Sequence, residues 1–409
     1  MNPVYVLGGA QSDFARNWTR EGLDIFSMMR DTMQAGLADA RLEPPDIESA
    51  HVGNFVAELF VGQGMLGGML TAIDPAFVGL PTSRHEAACA SGSIALLAAS
   101  AEIEAGRYDV VAVLGVELMR NVHGSVAADH LGAAAWKGRE FDDARYVWPA
   151  AFDRVLDAYD ARYGVKYEYL SRISEIAFDN AKSNPNAQSR GWRFDEQSFT
   201  ENETSNPVVT GRLRRQDCGQ VSDGAAVVFL ASRAFAERHA ARHGMSLSDF
   251  GRIAGFGHRT SLMHLETKLE HSRSGEYMFP EVRGTVQDAL RRAGLPDIWS
   301  VDAIELHDCF SMTEYAAIDH LGLTPPGRAW QVVDDGTIEK GGRLPINPSG
   351  GLIGCGHPVG ATGVRMMLDA SRQVTGTAGA QQIDGAKRVA TLNIGGAFTT
   401  SVSFVVEAG

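Results

Sequence analysis

The chain has little of what usually settles a protein's class at a glance. Only four of its 409 residues are cysteine, at 89, 218, 309 and 355, and no two of them form a Cys-x-x-Cys pair. So few and so scattered, they argue against a disulfide framework and predict reduced thiols in a cytoplasmic protein. No HExxH pattern, paired His/Cys ligand set or calcium-loop signature is present, so no metal is expected. No run of 18 or more apolar residues occurs, which excludes a sequence-evident membrane span. The N-terminus lacks the basic-then-apolar order of a secretory signal, and the final Glu407-Ala408-Gly409 is not a peroxisomal address. Positive charge is also short: 37 Lys and Arg against 50 Asp and Glu leave a net charge of −13. Nucleic acid and anionic membranes both reward a basic face, so neither is expected as a partner. A phosphorylated small molecule remains compatible, since a few local arginines can hold one.

What is abundant is glycine, 45 residues, within an otherwise ordinary soluble composition of 44% hydrophobic and 21% charged residues. The length favours two or three domains over one core. From residue 4 to about 118, short apolar strands alternate with helical stretches. Residues 109–116 form a continuous apolar run of the kind a buried strand needs, preceded by an alanine-rich helix at about 91–106. Residues 121–213 differ. Trp136, Trp148, Tyr159, Tyr163, Tyr167, Tyr169 and Trp192 crowd there among charged helices and Pro/Asn/Ser-rich loops, which predicts an insertion on one face of the core. Sheet character returns at 224–230. Beyond about 250 the first organisation repeats: a helix at 280–293, strands at 301–306, 389–393 and 400–406, and a small-residue helix after the turn at 357. The pattern predicts an α/β protein made of two duplicated halves. The first half spans 1–120 plus 214–250, the inserted region 121–213, and the second half 251–409.

Two segments carry the chemistry. Ala87-Ala88-Cys89-Ala90-Ser91-Gly92-Ser93 and Gly356-His357-Pro358-Val359-Gly360-Ala361-Thr362-Gly363 each put one reactive side chain on a turn that opens a helix. A cysteine at a helix N-terminus is expected to favour the thiolate. An imidazole beside it can take its proton, and free backbone N–H groups can stabilise an oxyanion. Glu305-Leu306-His307-Asp308-Cys309-Phe310, at the end of an apolar strand, adds a second thiol and a second imidazole. Asn393-Ile394-Gly395-Gly396 adds a glycine turn able to aim N–H groups at a ligand. By contrast, Gly62-Gln63-Gly64-Met65-Leu66-Gly67 fits a dinucleotide fingerprint but lies mid-domain, where a loop is expected.

These segments, with Asp217-Cys218-Gly219, Ser222-Asp223-Gly224-Ala225-Ala226 and Asn347-Pro348-Ser349-Gly350-Gly351, occur in one order along the chain. In that order the chain resembles the thiolase superfamily over essentially its whole length, and within it the sterol-carrier-protein-2-type, acetyl-CoA acetyltransferase-like branch. The resemblance implies the thiolase fold: two βαβαβ-type halves in a layered α-β-α-β-α core with an inserted loop domain. It implies an acyl-CoA thiolase in which Cys89 carries the acyl group and His357 activates it. Most thiolases place a second catalytic cysteine where this chain has Asn393, and Asn-Glu-Ala-Phe where it has residues 307–310. In the branch it resembles, that cysteine role falls to Cys309. His307 then replaces an asparagine of the first oxyanion hole, shared with His357, and the N–H groups of Cys89 and Gly395 form the second.

The resemblance further implies coenzyme A as substrate and product, with no permanently bound cofactor. Lys137, Arg212, Arg214 and Arg215 are candidates to hold it, among a wider basic set that includes Arg139 and Arg190. A homodimer or tetramer is expected, with residues 54–68 and 109–116 at or near the contact. A small accessory protein is a further partner in the alternative that the chain is a retro-aldolase or acyltransferase subunit. A non-catalytic CoA-ester binder is the third reading. Cys218 and Cys355 are expected to be structural, and His85 a structural contact or part of a dimer surface.

Overall fold

The computed structural model describes residues 2–409. Its strands are β1 (Val4–Gln11), β2 (Ser49–Gly53), β3 (Thr82–His85), β4 (Val110–Glu117), β5 (Val208–Thr210), β6 (Leu213–Arg214), β7 (Gly224–Ser232), β8 (Gly251–Thr260), β9 (Ala303–Leu306), β10 (Arg388–Gly395) and β11 (Thr400–Ala408). Nine of these form one sheet in the order β3-β2-β4-β7-β1-β8-β11-β10-β9, while β5 and β6 pair separately. The order is a duplication. In the first half β2 lies parallel between β3 and β4, and β7 and β1 follow antiparallel. In the second half β9 runs parallel to β10, and β11 and β8 follow antiparallel. A parallel bridge from Ile304 to Ile346 stands where β3 stands in the first half. The halves join where Val4–Val6 pairs with Gly251–Ile253 across β1 and β8.

The expected fold class is the observed one. Helix Ile25–Ala40 covers the outer face of the first half and helix Pro280–Arg292 that of the second. Helices Ser91–Glu104 and Thr362–Val374 pack on each other in the middle layer, the latter touching strands of both halves. This is the α-β-α-β-α stack. Strands β4 and β7 are buried along their whole length, so they read in sequence as unbroken apolar runs rather than alternating ones. Strand β8 gives no such signal, because glycines at 255 and 257 replace the usual branched residues. A Cβ there would lie 2.2 Å from the Ala289 carbonyl oxygen and 1.9 Å from that of Thr285, so the glycines let helix Pro280–Arg292 settle directly on the strand.

The inserted region is more helical than its loop-like composition suggests. Helices Val147–Tyr163 and Tyr167–Ala181 pack on helix Ser311–Leu321. Phe152 stacks on Phe310 at 4.7 Å, and Tyr159 meets Tyr315 edge-on. These contacts fix the roof of the cavity described next. The segment 62–67 joins the short helices Ala57–Val61 and Leu66–Met69, ending in the first turn of the latter, and is not in a nucleotide-binding βαβ unit.

Candidate active site

Cys89 sits in a single 3-10 turn, Ala88–Ala90, that leads straight into helix Ser91–Glu104. Ala88 has φ 49°, a left-handed conformation unusual for a residue with a Cβ, which costs on the order of 1–3 kcal/mol. The Ser91 hydroxyl holds this turn, donating to the Ala88 carbonyl and accepting from the Ala87 N–H. Opposite lies the His357 turn. The two approach closely because the nearby residues are glycines: a Cβ on Gly92 would stand 2.7 Å from the Gly360 carbonyl oxygen. Buried Glu117 ties the approach together, accepting from the N–H groups of Phe55, Val56 and Gly360 and from the Asn54 amide.

The remaining sequence motifs serve as supports. Ser222 accepts the His357 N–H at 2.9 Å. Asp217 accepts the Arg214 N–H and the Ser311 hydroxyl, and Gly219 donates to the Cys309 carbonyl at 2.8 Å, which anchors the turn that carries Cys309. Asn347 accepts the Leu306 N–H at the end of β9. Asp308 does not cap the helix that follows it. It accepts the N–H groups of Leu352 and Ile353 instead, joining the 307–310 turn to the glycine-rich segment before His357.

Cys89, Cys309 and His357 line one cavity of about 380 Å³. A thiol or ring-nitrogen atom from each of Cys89, His307 and His357 lies within 4.8 Å of the other two. The two imidazole rings stand edge to face, with centroids 5.3 Å apart. Their hydrogen bonds assign them opposite tautomers. Thr362 donates its hydroxyl to the Pro358 carbonyl and so accepts from His357 Nδ1 at 2.7 Å. The His357 proton is therefore on Nδ1, and its Nε2 is buried without a partner: a bare lone pair. At His307 the Asn393 amide donates to Nδ1 at 3.0 Å, with the Ser93 hydroxyl holding the other end of that amide. The His307 proton is therefore on Nε2. One ring is built as a base and the other as a donor.

The thiolate expected from the helix dipole is absent at rest. Burial pushes the Cys89 thiol up to about 12, against the lowering effect of the Gly396 N–H, and the Glu117 charge pushes the same way as burial. A dipole contribution of about 0.3–2 kcal/mol does not overcome that desolvation. Burial, helped by the Arg365 charge, likewise takes His357 down to about 3. His307 falls well below the ordinary histidine value through burial, then the charges of His357 and Arg365. The resting pair is a neutral thiol beside a neutral imidazole. The Cys309 thiol is also pushed up, first by burial and then by its nearness to Cys89, and its sulfur lies 3.5 Å from Thr313 Oγ1.

Several expected residues fall elsewhere. Gly396 lines the cavity and aims its N–H at the Cys89 sulfur; Gly395 is the last residue of β10, where a Cβ would strike the Ala87 carbonyl at 2.3 Å. The backbone N–H that faces the Cys89 sulfur is thus that of Gly396, one residue beyond the expected Gly395. Arg214 is buried and committed to Glu203 and the Asn206 carbonyl. Arg212 is paired with Asp160, and Lys137 with Asp129 on the surface. Arg190 is held by Asp13. Only Arg215 of the four candidates reaches the cavity, and it also lines a second hollow with Trp192 and Arg193. Cys218 contributes to the cavity wall, while Cys355 is buried apart from it and accepts from Asn184 Nδ2. His85 lies on β3 against His51, away from the cavity. Sequence reasoning missed Thr362, Asn393's partner Ser93, and the fully buried Arg365, which pairs with Glu305 and Asp369 behind the site. The Glu305–Arg365 pair is the one with a detectable signal: two charges inside otherwise apolar or small-residue segments.

Two thiols, an imidazole with a bare ring nitrogen, a donor imidazole and backbone N–H groups aimed at Cys89, set in a duplicated α/β fold, are the kinds of group that acyl transfer uses. The chain belongs to the thiolase family: residues 4–161 match "Thiolase, N-terminal domain" and residues 264–408 match "Thiolase C-terminal domain-like". It is 30% identical to an acetyl-CoA acetyltransferase of Methanothermobacter thermautotrophicus over 397 residues, 97% of each chain. It is 29% identical to sterol carrier protein 2 of Gallus gallus, over 96% of this chain and 69% of that protein. Among solved structures it resembles an "Ltp2-ChsH2(DUF35) aldolase", with TM-score 0.78 and 21% identity over 99% of this chain and 98% of that one; this likeness concerns the fold.

Proposed function

We propose that the protein is an acyl-CoA thiolase, cleaving 3-ketoacyl-CoA with coenzyme A or running the reverse Claisen condensation through an acyl group on Cys89. The observation that carries this reading is the bare Nε2 of His357 beside the Cys89 thiol, with a second thiol, Cys309, in the same cavity. In cleavage, His357 Nε2 takes the Cys89 proton as the sulfur attacks the keto carbon. The N–H groups of Cys89 and Gly396 hold the resulting alkoxide. The bond between the keto carbon and its neighbour breaks, leaving the acyl group on sulfur and an acetyl-CoA enolate. The enolate oxygen accepts from His307 Nε2–H and from His357, which now carries the Cys89 proton on Nε2. Cys309 donates its proton to the enolate carbon, and as thiolate takes the proton of the incoming coenzyme A. The acyl group then passes to that thiol, regenerating Cys89.

The residues supply every proton transfer, so the proposal needs no bound cofactor, and coenzyme A enters as a substrate. Arg215 is suited to its phosphates: it is exposed, reaches both hollows and has no ion pair among the described residues. A homodimer is part of the proposal. β3 is the outer strand of its half, paired only with β2 among the described residues, and Leu59, Met65 and Val78 are large exposed apolar residues in the neighbouring segments. Among the described residues no helix is long and apolar enough to cross a membrane.

Incubation of the purified protein with acetoacetyl-CoA and coenzyme A tests the reading. Acetyl-CoA formed at a rate that falls to background in Cys89→Ala supports it. No acetyl-CoA from acetoacetyl-CoA, together with an aldehyde or ketone released from a 3-hydroxyacyl-CoA and no acyl group on Cys89, would transfer the protein to the aldolase reading.

A further inference from the structure

The sequence contains no metal-ligand motif, yet folding gathers one. Cys89, His307 and His357 come from three separate turns, and their ligating atoms lie within 4.8 Å of one another. We propose that this trio is also a capture site for a soft divalent cation, zinc above all, which holds the protein in a reversible off state.

The donor set is the first argument. One thiolate and two imidazoles suit zinc, whose bonds of about 2.3 Å to sulfur and about 2.0–2.1 Å to nitrogen place tetrahedral ligand atoms about 3.3–3.6 Å apart. The trio must therefore close by at most about 1.5 Å at its widest pair, within reach of a turn of the Cys89 side chain and a small tilt of one ring. The second argument is orientation. His357 Nε2 is buried without a partner, while Thr362 secures Nδ1, so one ligand is already in the form a metal needs. Such an outer hydrogen bond is what holds a ligating histidine in place. His307 can follow. If the Asn393 amide turns over, its oxygen accepts from Nδ1–H, its nitrogen donates to the Ser93 hydroxyl, and Nε2 is left bare. The third argument is the open side: three protein ligands leave a fourth position facing the cavity.

Binding balances simply. The cation takes the Cys89 thiolate, and the thiol proton leaves to solvent. The His307 proton moves from Nε2 to Nδ1 by exchange, and no electron is transferred. With its sulfur and both rings engaged, Cys89 can neither attack a carbonyl nor pass its proton to His357. The capture needs only these three side chains, so it stands or falls independently of the thiolase reading.

Cobalt(II) serves as the probe, because a cobalt–thiolate bond gives a charge-transfer absorption that imidazole-only sites lack. The whole chain, reduced with a non-thiol reductant, is titrated while absorbance is followed, and zinc is then added in competition. The expected result is one cobalt per chain with the charge-transfer band, displaced by zinc. Cys89→Ser, or prior alkylation of Cys89, abolishes the band, and Cys309→Ala keeps it. His307→Asn weakens binding at least as much as the roughly 10–100-fold typical of losing an outer-shell partner. A band that survives in Cys89→Ser overturns the proposal, as does metal bound without any band. The latter result would point to the His51 and His85 pair, whose ring nitrogens are 2.8 Å apart on β2 and β3. Acylation of Cys89 by acetyl-CoA, measured by intact mass on the same metal-free samples, reports separately on the thiolase reading.

Discussion

Thr362 is the residue whose loss should reveal most about how His357 is prepared. It does not line the cavity and is buried, yet its hydroxyl is the acceptor that keeps the His357 proton on Nδ1. Thr362→Val preserves shape and removes that acceptor. His357 then has two choices: to leave Nδ1–H buried and unpaired, or to shift the proton to Nε2, where it blocks acceptance from Cys89. Reaching the reactive tautomer now costs the penalty of an unsatisfied buried donor, about 1–3 kcal/mol. At about 1.4 kcal/mol per factor of ten, acylation of Cys89 should slow roughly 5- to 140-fold. KM should stay nearly unchanged, because no ligand-facing surface is altered. Thr362→Ser should restore most of the rate. Quenched-flow measurement of acyl transfer from acetyl-CoA, read by intact mass, gives the rate directly. Wild-type acylation in Thr362→Val, or a Thr362→Ser protein as slow as the valine variant, would refute the tautomer argument.

Other outcomes follow from the same geometry. His357 is neutral above its value of about 3 and Cys89 protonated below about 12, so the reactive neutral pair persists at both pH 5 and pH 8. Lowering the pH between these limits adds no proton to His357; acylation of the free enzyme should stay within about twofold, and an acidic limb near the ordinary histidine value of about 6.5 would contradict the neutral pair. Lys268 is buried and donates to the Ala397 carbonyl and to Thr399 Oγ1, clamping the loop that follows Gly396. Lys268→Met should lower kcat about tenfold, less than the roughly 10²–10³ that follows outright loss of an oxyanion donor, and an unchanged kcat would remove the clamp from the account. Arg215→Ala should raise KM for CoA esters several-fold with kcat little changed, whereas Lys137→Ala, at a surface ion pair, should do neither. Light scattering should report a dimer at micromolar concentration, and charge placed on the outer strand by Ser83→Asp should weaken it.

The fold was legible where burial is simplest. β4 and β7 are buried strands and read as apolar runs, and the alanine-rich helix Ser91–Glu104 reads as one that must lie close to other backbone. β8 was illegible because its glycines serve a close helix contact instead of a propensity. The inserted region was legible as charged helices and loops, but how its helices lie was not, because the aromatic residues they bury are scattered among charges. At the site, Cys89, His307, Cys309 and His357 were legible as residue types on sharp turns. Their ionisation was not: a dipole can be read from a helix start, but desolvation depends on what covers the site. The tautomers were equally hidden, since Thr362 and the Asn393–Ser93 pair act only through hydrogen bonds made across the fold. Arg214 and Arg215 are adjacent in sequence and cannot be distinguished there; one turns inward to Glu203 and the other faces the cavity.

The central claim is a division of labour between two thiols, with Cys89 carrying the acyl group and Cys309 moving the proton at the enolate carbon. Cys309→Ala, assayed for both half-reactions, tests it most directly. Intact mass after incubation with acetyl-CoA should show one acetyl group on Cys89, absent in Cys89→Ala. The same Cys309→Ala protein should neither condense acetyl-CoA nor cleave acetoacetyl-CoA with coenzyme A. Near-normal turnover in Cys309→Ala, or an acetyl group that persists in Cys89→Ala, would contradict the account.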